Sequence, residues 1–192
     1  GAKFYIGGEL LRDLVISEAT KISNYAFYHC ATLDTVKITS ATDGGAYAFY
    51  NCPVLETVIV DGENVNVGNA AFNSCYLLKN AEMKGVTTLG STVFQNCSTL
   101  ETVNLPDCVT INSEAFANCH HLRSVSFGSS LTTMYWLLFN SSTLFTTVDY
   151  AGTIERWNAI SKPNSGRWNY YDWSSGTVNV VTIHCTDGDI RV

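Results

Sequence analysis

The sequence predicts a solenoid: stacked coils of 22–23 residues with a parallel sheet along one face and a capping helix and strand at the C-terminal end. Three observations carry this. Cysteines stand at positions 30, 52, 75, 97 and 119, at intervals of 22, 23, 22 and 22. Each closes the same five-residue phrase, namely AFYHC (26–30), AFYNC (48–52), AFNSC (71–75), VFQNC (93–97) and AFANC (115–119), and LFNSS (138–142) is a sixth copy with Ser142 in the cysteine slot. After each phrase an apolar pattern keeps register: Leu33, Val36 and Ile38; Leu55, Val58 and Val60; Leu78, Ala81 and Met83; Leu100, Val103 and Leu105; Leu122, Val125 and Phe127; Phe145, Val148 and Tyr150. A fixed period of this length marks a repeat architecture.

Residues 1–10 read as an N-terminal edge or partial cap, where GAKFYIGG offers at most one short strand. Leu11, Leu14 and Ile16 form a degenerate first unit, so the coils run from 11 to 150, six to seven of them. Within a coil, L-x-x-V-x-I alternates apolar and polar, the pattern of a strand with one buried face. A second apolar anchor precedes most of the phrases, at Ile22, Val67, Leu89, Ile111 and Met134, and the Gly, Ser, Thr and Asn between anchors turn the chain. One coil cannot bury its own apolar side, whereas stacking sets like residues on like and makes a continuous core. An uncovered N-terminal edge invites strand pairing, so the array reads as a piece of a longer one or as a naturally short one.

The period stops at Ala151, and residues 151–192 read as a C-terminal cap. In TIERWNAI (153–160), Ile154, Trp157 and Ile160 fall at helical intervals with Thr153 as N-cap. A loop, the aromatic run RWNYYDW (167–173) and an apolar strand TVNVVTIHC (177–185) follow.

Composition excludes several function classes. Charged residues are 15% of the chain and the net charge is −6, which leaves no basic patch for a nucleic-acid backbone or an anionic membrane surface. No apolar run approaches the roughly 20 residues that span a bilayer. The first residues lack a basic segment followed by an apolar stretch, so no signal peptide is expected within them.

The cysteines sit one per coil, about 4.7–4.9 Å apart if the coils stack as strands do, with Cβ vectors near parallel, which suits a disulfide poorly. Cys30, Cys52, Cys75, Cys97 and Cys119 therefore read as buried thiols filling small apolar space. Cys108 and Cys185 lie outside that column. No paired ligand spacing of the kind zinc needs is present, and no cofactor is implied. The TDGD turn (186–189) offers oxygens but matches no calcium loop. His29 occupies the polar slot held elsewhere by Asn51, Ser74, Asn96, Asn118 and Ser141, which makes it a solvent-facing loop residue; His120 and His121 reflect loop drift. No catalytic constellation is recognisable, and the chain reads as non-enzymatic.

Two candidate binding surfaces remain. One is the outward side of the strands, made of Thr35 and Lys37, Thr57 and Ile59, Asn80 and Glu82, Thr102 and Asn104, Ser124 and Ser126, and Thr147 and Asp149. Thr is also a good strand former facing water, so this face is at the least a solvated one. The other is Trp168, Tyr170, Tyr171 and Trp173, whose rings can stack on sugars or cover the last coil.

The repeated A-F-x-x-C-x-x-L-x-x-V-x-I over residues 11–150 resembles the BspA-like leucine-rich repeats, and the tail resembles the cap of that family. Three residues beyond the second strand anchor the commoner leucine-rich consensus has Asn or Cys; here those slots hold Ala41, Glu63, Val86, Cys108 and Ser130. The resemblance implies a leucine-rich-repeat solenoid in a secreted or surface-displayed bacterial protein that binds host or matrix proteins. A carbohydrate-binding module using the C-terminal aromatics, or a structural spacer, are the alternatives.

Overall fold

A computed structural model describes residues 5–6, 9–40, 43–163 and 180–192. Two-residue strands β1 (Tyr5–Ile6) and β2 (Glu9–Leu10) pair antiparallel, so a hairpin stands where one short strand was expected. The coils begin at β3 (Asp13–Ile16) with β4 (Lys21–Ile22), then β5 (Thr35–Ile38) with β6 (Asp43–Gly44). In the next two coils the paired segments fuse into β7 (Thr57–Val67) and β8 (Asn80–Leu89). They separate again into β9 (Thr102–Leu105) and β10 (Thr110–Ile111), then β11 (Ser124–Phe127) and β12 (Thr133–Met134), before β13 (Thr147–Tyr150).

The main sheet runs β3-β5-β7-β8-β9-β11-β13-β14-β15, parallel until its last pair, with α1 at Ile154–Ala159, β14 at Thr182–Cys185 and β15 at Gly188–Arg191. Register is strict. Val36, Val58, Ala81, Val103, Val125 and Val148 stand opposite one another in successive strands, and all are buried. The second anchors prove to be strands as well: β4, β6, the ends of β7 and β8, β10 and β12 pair in a parallel row of their own. Two residues are too short for periodicity to reveal, so the sequence shows these anchors only as buried points.

The return phrases close the coil without strand dihedrals. Each contains two residues of positive φ four positions apart. Tyr25, Tyr47, Ala70, Thr92, Glu114 and Leu137 hold the first slot, and His29, Asn51, Ser74, Asn96, Asn118 and Ser141 the second, all between 52° and 64°. These kinks aim alternate N–H groups along the solenoid. Tyr25, Phe27 and His29 donate to the carbonyls of Ala46, Ala48 and Tyr50 in the next coil at 3.0, 2.7 and 2.8 Å. The N–H groups between them fold back: Tyr28 donates to Tyr25 O at 3.2 Å and Cys30 to Phe27 O at 3.1 Å. Buried backbone groups must be paired, and this alternation pairs them in both directions. His29 is thus half-buried in a slot that selects for left-handed backbone, which Asn and His tolerate better than most residues.

Behind the kinks the phenylalanines stack. Phe27, Phe49, Phe72, Phe94, Phe116 and Phe139 follow one another with centroids 5.1–5.9 Å apart and planes within 10° of parallel. The single extra residue between Cys52 and Cys75 is taken up as an irregularity in β7, where register against β8 shifts between Asp61 and Val65. There Gly85 has φ +74°, and a Cβ on it would lie 1.9 Å from the Gly62 carbonyl oxygen.

At the C-terminal end Thr153 caps α1 by accepting from Arg156 N–H at 3.3 Å. Asp187, in the turn between β14 and β15, accepts from Ile154 N–H at 2.8 Å. Trp157 is buried against Tyr150 in an edge-to-face contact, centroids 5.3 Å apart. The expected strand over 177–185 is β14, shorter at its start; residues 177–179 lie outside the described ones.

Candidate functional site

The outward side of the main sheet is built by strand alternation. From β5 to β13 the inward residues are buried, and of the twelve outward ones none is: Thr35, Thr57, Ile59, Ser124, Ser126 and Thr147 are half-buried, while Lys37, Asn80, Glu82, Thr102, Asn104 and Asp149 are exposed. Parallel register sorts them into two rows that cross the strands. Thr35, Thr57, Asn80, Thr102, Ser124 and Thr147 form one row; Lys37, Ile59, Glu82, Asn104, Ser126 and Asp149 form the other. One pair of neighbours in each row hydrogen-bonds: Thr102 Oγ1 donates to Asn80 Oδ1 at 3.3 Å and Asn104 Nδ2 to Glu82 Oε2 at 3.0 Å.

The rows continue past the repeats. Thr182 pairs with Thr147 and His184 with Asp149, and β15 adds Arg191 and Asp189 opposite them. His184 Nδ1 lies 2.8 Å from Asp189 Oδ1. A shallow depression of about 330 Å³ opens here, lined by Asn104, Ser126, Asp149 and His184 among others. Nothing in the sequence pattern places Thr182, His184, Asp189 and Arg191 on this face, because the period that locates the other rows ends at Ala151. The aromatic run with Trp168, Tyr170, Tyr171 and Trp173 lies outside the described residues.

The column thiols of Cys30, Cys52, Cys75, Cys97 and Cys119 are buried and unpaired with one another, but apolar filler is an incomplete account of them. From the second coil onward each donates to the carbonyl of the phenylalanine in the preceding coil: Cys52 to Phe27, Cys75 to Phe49, Cys97 to Phe72 and Cys119 to Phe94, at 3.1–3.3 Å. Burial pushes the Cys97 thiol up to about 12 and the Cys119 thiol well above its ordinary value. Cys108 is buried too and pushed up to about 12 for the same reason, while Cys185 is half-buried. Thiols in that state are poor nucleophiles, since the thiolate is the reactive form. Of the Asn-or-Cys slots beyond the strand, Val86 and Cys108 are buried, whereas Glu63 and Ser130 face solvent.

His120 and His121 are exposed, each with Nδ1 against a backbone carbonyl, Ser141 O at 3.1 Å and Ser98 O at 2.6 Å respectively. The outward carboxylates are dispersed, and several pair with a base on the adjacent coil, as Arg12 with Asp34 and Lys79 with Glu56. Among the described residues no group of three or more His, Cys, Asp or Glu converges as a metal site would require. No helix among them is long and apolar enough to cross a membrane.

Four tyrosines form a second, part-exposed cluster that the coil pattern does not single out. Tyr25 stacks on Tyr47 (centroids 5.1 Å, planes within 6°) and Tyr28 on Tyr50 (5.2 Å, 11°), on the return side of the first two coils. Their signal was present as two pairs 22 residues apart, AFY preceded by Tyr in both phrases.

Comparison with known proteins agrees with this architecture. The profile of the BspA type leucine rich repeat region, in six copies, matches residues 4–110 and 87–159. A leucine-rich repeat protein from T. pallidum has a similar fold, with a TM-score of 0.64 at 20% identity, over 85% of this chain and 88% of that one. A leucine-rich repeat protein from Bacteroides ovatus aligns at a TM-score of 0.33 and 18% identity, over 72% of this chain and 63% of that one. A leucine rich cell surface protein from Faecalibacterium prausnitzii aligns at 0.38 and 16%, over 92% and 69%. No curated protein matches the chain. Repeats of this type are as a rule scaffolds for interaction, not catalysts. With six copies of the repeat matched across most of its length, the chain belongs to the BspA-type leucine-rich repeat family.

Proposed function

We propose that the chain is a non-catalytic protein-binding or adhesion module of a secreted or surface-displayed bacterial protein, and that the outward face of its main sheet takes a host or matrix protein. The observation that supports this is the pair of rows, polar except at Val15 and Ile59, in continuous register from β3 through β15. A stacked parallel sheet holds such rows rigid, so a partner meets donors and acceptors that lose little freedom on binding. Charge is uneven along the second row, with Lys37 toward the N-terminal end and Glu82, Asp149 and Asp189 beyond it. That uneven charge supports one orientation of a complementary partner over the reverse.

The test is capture from host extracellular material by the wild type and by a Lys37→Glu/Glu82→Lys/Asp149→Lys variant. The reading expects a recovered partner whose retention falls in the variant. Recovery of nothing, or equal recovery by both, leaves a structural spacer.

A further inference from the structure

The return side of the first two coils carries a surface that the repeat does not require. Two slots three residues apart hold Tyr25 and Tyr28, both exposed, in the first phrase and Tyr47 and Tyr50, both half-buried, in the second. The same slots hold Ala70 and Asn73, Thr92 and Gln95, and Glu114 and Ala117 in the next three coils. Because all five coils share one backbone path, aromatic rings there answer to no packing need of the coil. They form a two-by-two block: parallel stacks along the solenoid, joined by an edge contact between Tyr25 and Tyr28 at 5.5 Å and a tilted one between Tyr47 and Tyr50 at 5.6 Å. His29 extends it, 4.2 Å from the Tyr28 ring and 5.8 Å from that of Tyr50.

Three properties define what this block accepts. First, Tyr47 and Tyr50 each have one face covered by a ring of the first coil and are half-buried, while Tyr25 and Tyr28 are 56% and 41% exposed. Second, none of the four phenol oxygens bonds to another described residue, and Asn51 Nδ2 reaches His29 Nδ1 at 3.4 Å beside them, so polar groups rim the rings. Third, the phrases 23–30 and 45–52 contain no Asp, Glu, Lys or Arg, and the charges on the adjoining strands, Lys21 and Asp43, neutralise one another at 2.9 Å. The block is an angled aromatic surface, its two stacks 54–69° apart, amphipathic, held in place by its own stacking, and uncharged.

We propose that this tyrosine block is a binding site for an uncharged saccharide. A pyranose presents one face of C–H groups to an aromatic ring while its hydroxyls project around the edge, and this arrangement complements open tyrosine faces with a rim of phenols and imidazole. Lack of charge on the protein side matches lack of charge on the ligand and disfavours sulfated or carboxylated glycans, whose charge would go unpaired. The site lies on the return side, apart from the sheet face, and stands whether or not that face binds protein.

The test uses the whole chain on an array of neutral and acidic oligosaccharides, with calorimetric titration of the best neutral ligand. A Tyr25→Ala/Tyr28→Asn/Tyr47→Ala/Tyr50→Asn variant installs the residues that the third coil already carries, so the coil tolerates them. Its fold is checked by circular dichroism, and Tyr25→Ala alone serves if the fourfold change perturbs it. Wild type is expected to bind a neutral oligosaccharide, the tyrosine variant to bind at least about tenfold more weakly, and the Lys37→Glu/Glu82→Lys/Asp149→Lys variant to bind as wild type. Binding of acidic glycans only, of no glycan at millimolar concentration, or equally by the tyrosine variant overturns the proposal. So does a partner protein that the tyrosines hold and neutral sugar does not displace.

Discussion

Ser142 donates its hydroxyl to the carbonyl of Phe116 at 2.7 Å and accepts from the N–H of Cys119 at 3.0 Å, both across the boundary between adjacent coils. Cys97 makes the first of these contacts with its thiol, to Phe72 at 3.2 Å. The slot thus asks for a small side chain that donates, and a thiol or a hydroxyl fills it. Buried thiols are often treated as small hydrophobes; here the donor end has a partner set by a backbone 25 or 26 residues upstream.

Cys97→Ser should therefore leave stability within about 1 kcal/mol of wild type, and Ser142→Ala should cost about 1–3 kcal/mol, because a buried carbonyl and a buried N–H both lose a partner. Urea unfolding of the two variants measures the difference. If Ser142→Ala is as stable as wild type, the inter-coil hydrogen bonds contribute nothing and the column is packing alone.

Much of the coil was legible because it repeats: period, buried strand positions and cap helix all follow from apolar spacing and one capping threonine. The kinks were not. Their first slot holds Tyr25, Tyr47, Ala70, Thr92, Glu114 and Leu137, a set with neither Gly nor Asn, so no local preference announces the left-handed backbone seen there. Inter-coil hydrogen bonding imposes it. The sheet face was found as far as the period ran and lost at β14 and β15, while the tyrosine block becomes visible only when two coils are laid one on the other.

Thr92 is the most costly occupant of that first slot, a β-branched residue at φ 57°. Left-handed backbone costs a non-glycine residue about 1–2 kcal/mol, and asparagine accepts it more readily. Thr92→Asn should raise stability by about 0.5–1 kcal/mol, read as a higher melting temperature. Asn118→Thr, the reverse change at the second slot (φ 59°), should lower it by more, because the bond from Asn118 Nδ2 to Asn96 Oδ1 at 2.8 Å is lost as well. Movement of both variants in one direction would falsify the backbone explanation.

Buried thiols also set an alkaline limit. Burial holds Cys97 and Cys108 protonated up to about 12 in the fold, whereas an unfolded cysteine ionises near its ordinary value of 9.0. The folded state then binds more protons than the unfolded one, so this contribution is complete below pH 9 and is lost as pH rises from about 9 toward about 12. Melting temperature should fall across that window and should fall less in a Cys97→Ser/Cys108→Ala variant, referred to its own value at pH 7. At pH 8 a thiol reagent should label Cys185 first in the native protein and all seven cysteines after unfolding without reductant. Rapid native labelling of the column cysteines would contradict their burial.

Gly85 is where the long third coil meets the regular fourth, and two separate constraints exclude a side chain there. Its φ of +74° strains any L-residue, and the built Cβ would sit 1.9 Å from the Gly62 carbonyl oxygen, a backbone atom that cannot swing aside as a side chain would. Gly85 N–H also donates to Asp107 Oδ2 at 2.8 Å, so a shift of the chain to relieve the clash would break a bond to the next coil. Gly85→Ala should therefore lose more than the roughly 1 kcal/mol expected for strain alone. Because coils contact only their neighbours, the damage should be local, with faster amide exchange in β7 and β8 while β11 and β13 keep their protection. Uniform loss of protection from β3 to β13 would instead mean that the solenoid unfolds as one cooperative unit and that the joint between the third and fourth coils has no stability of its own.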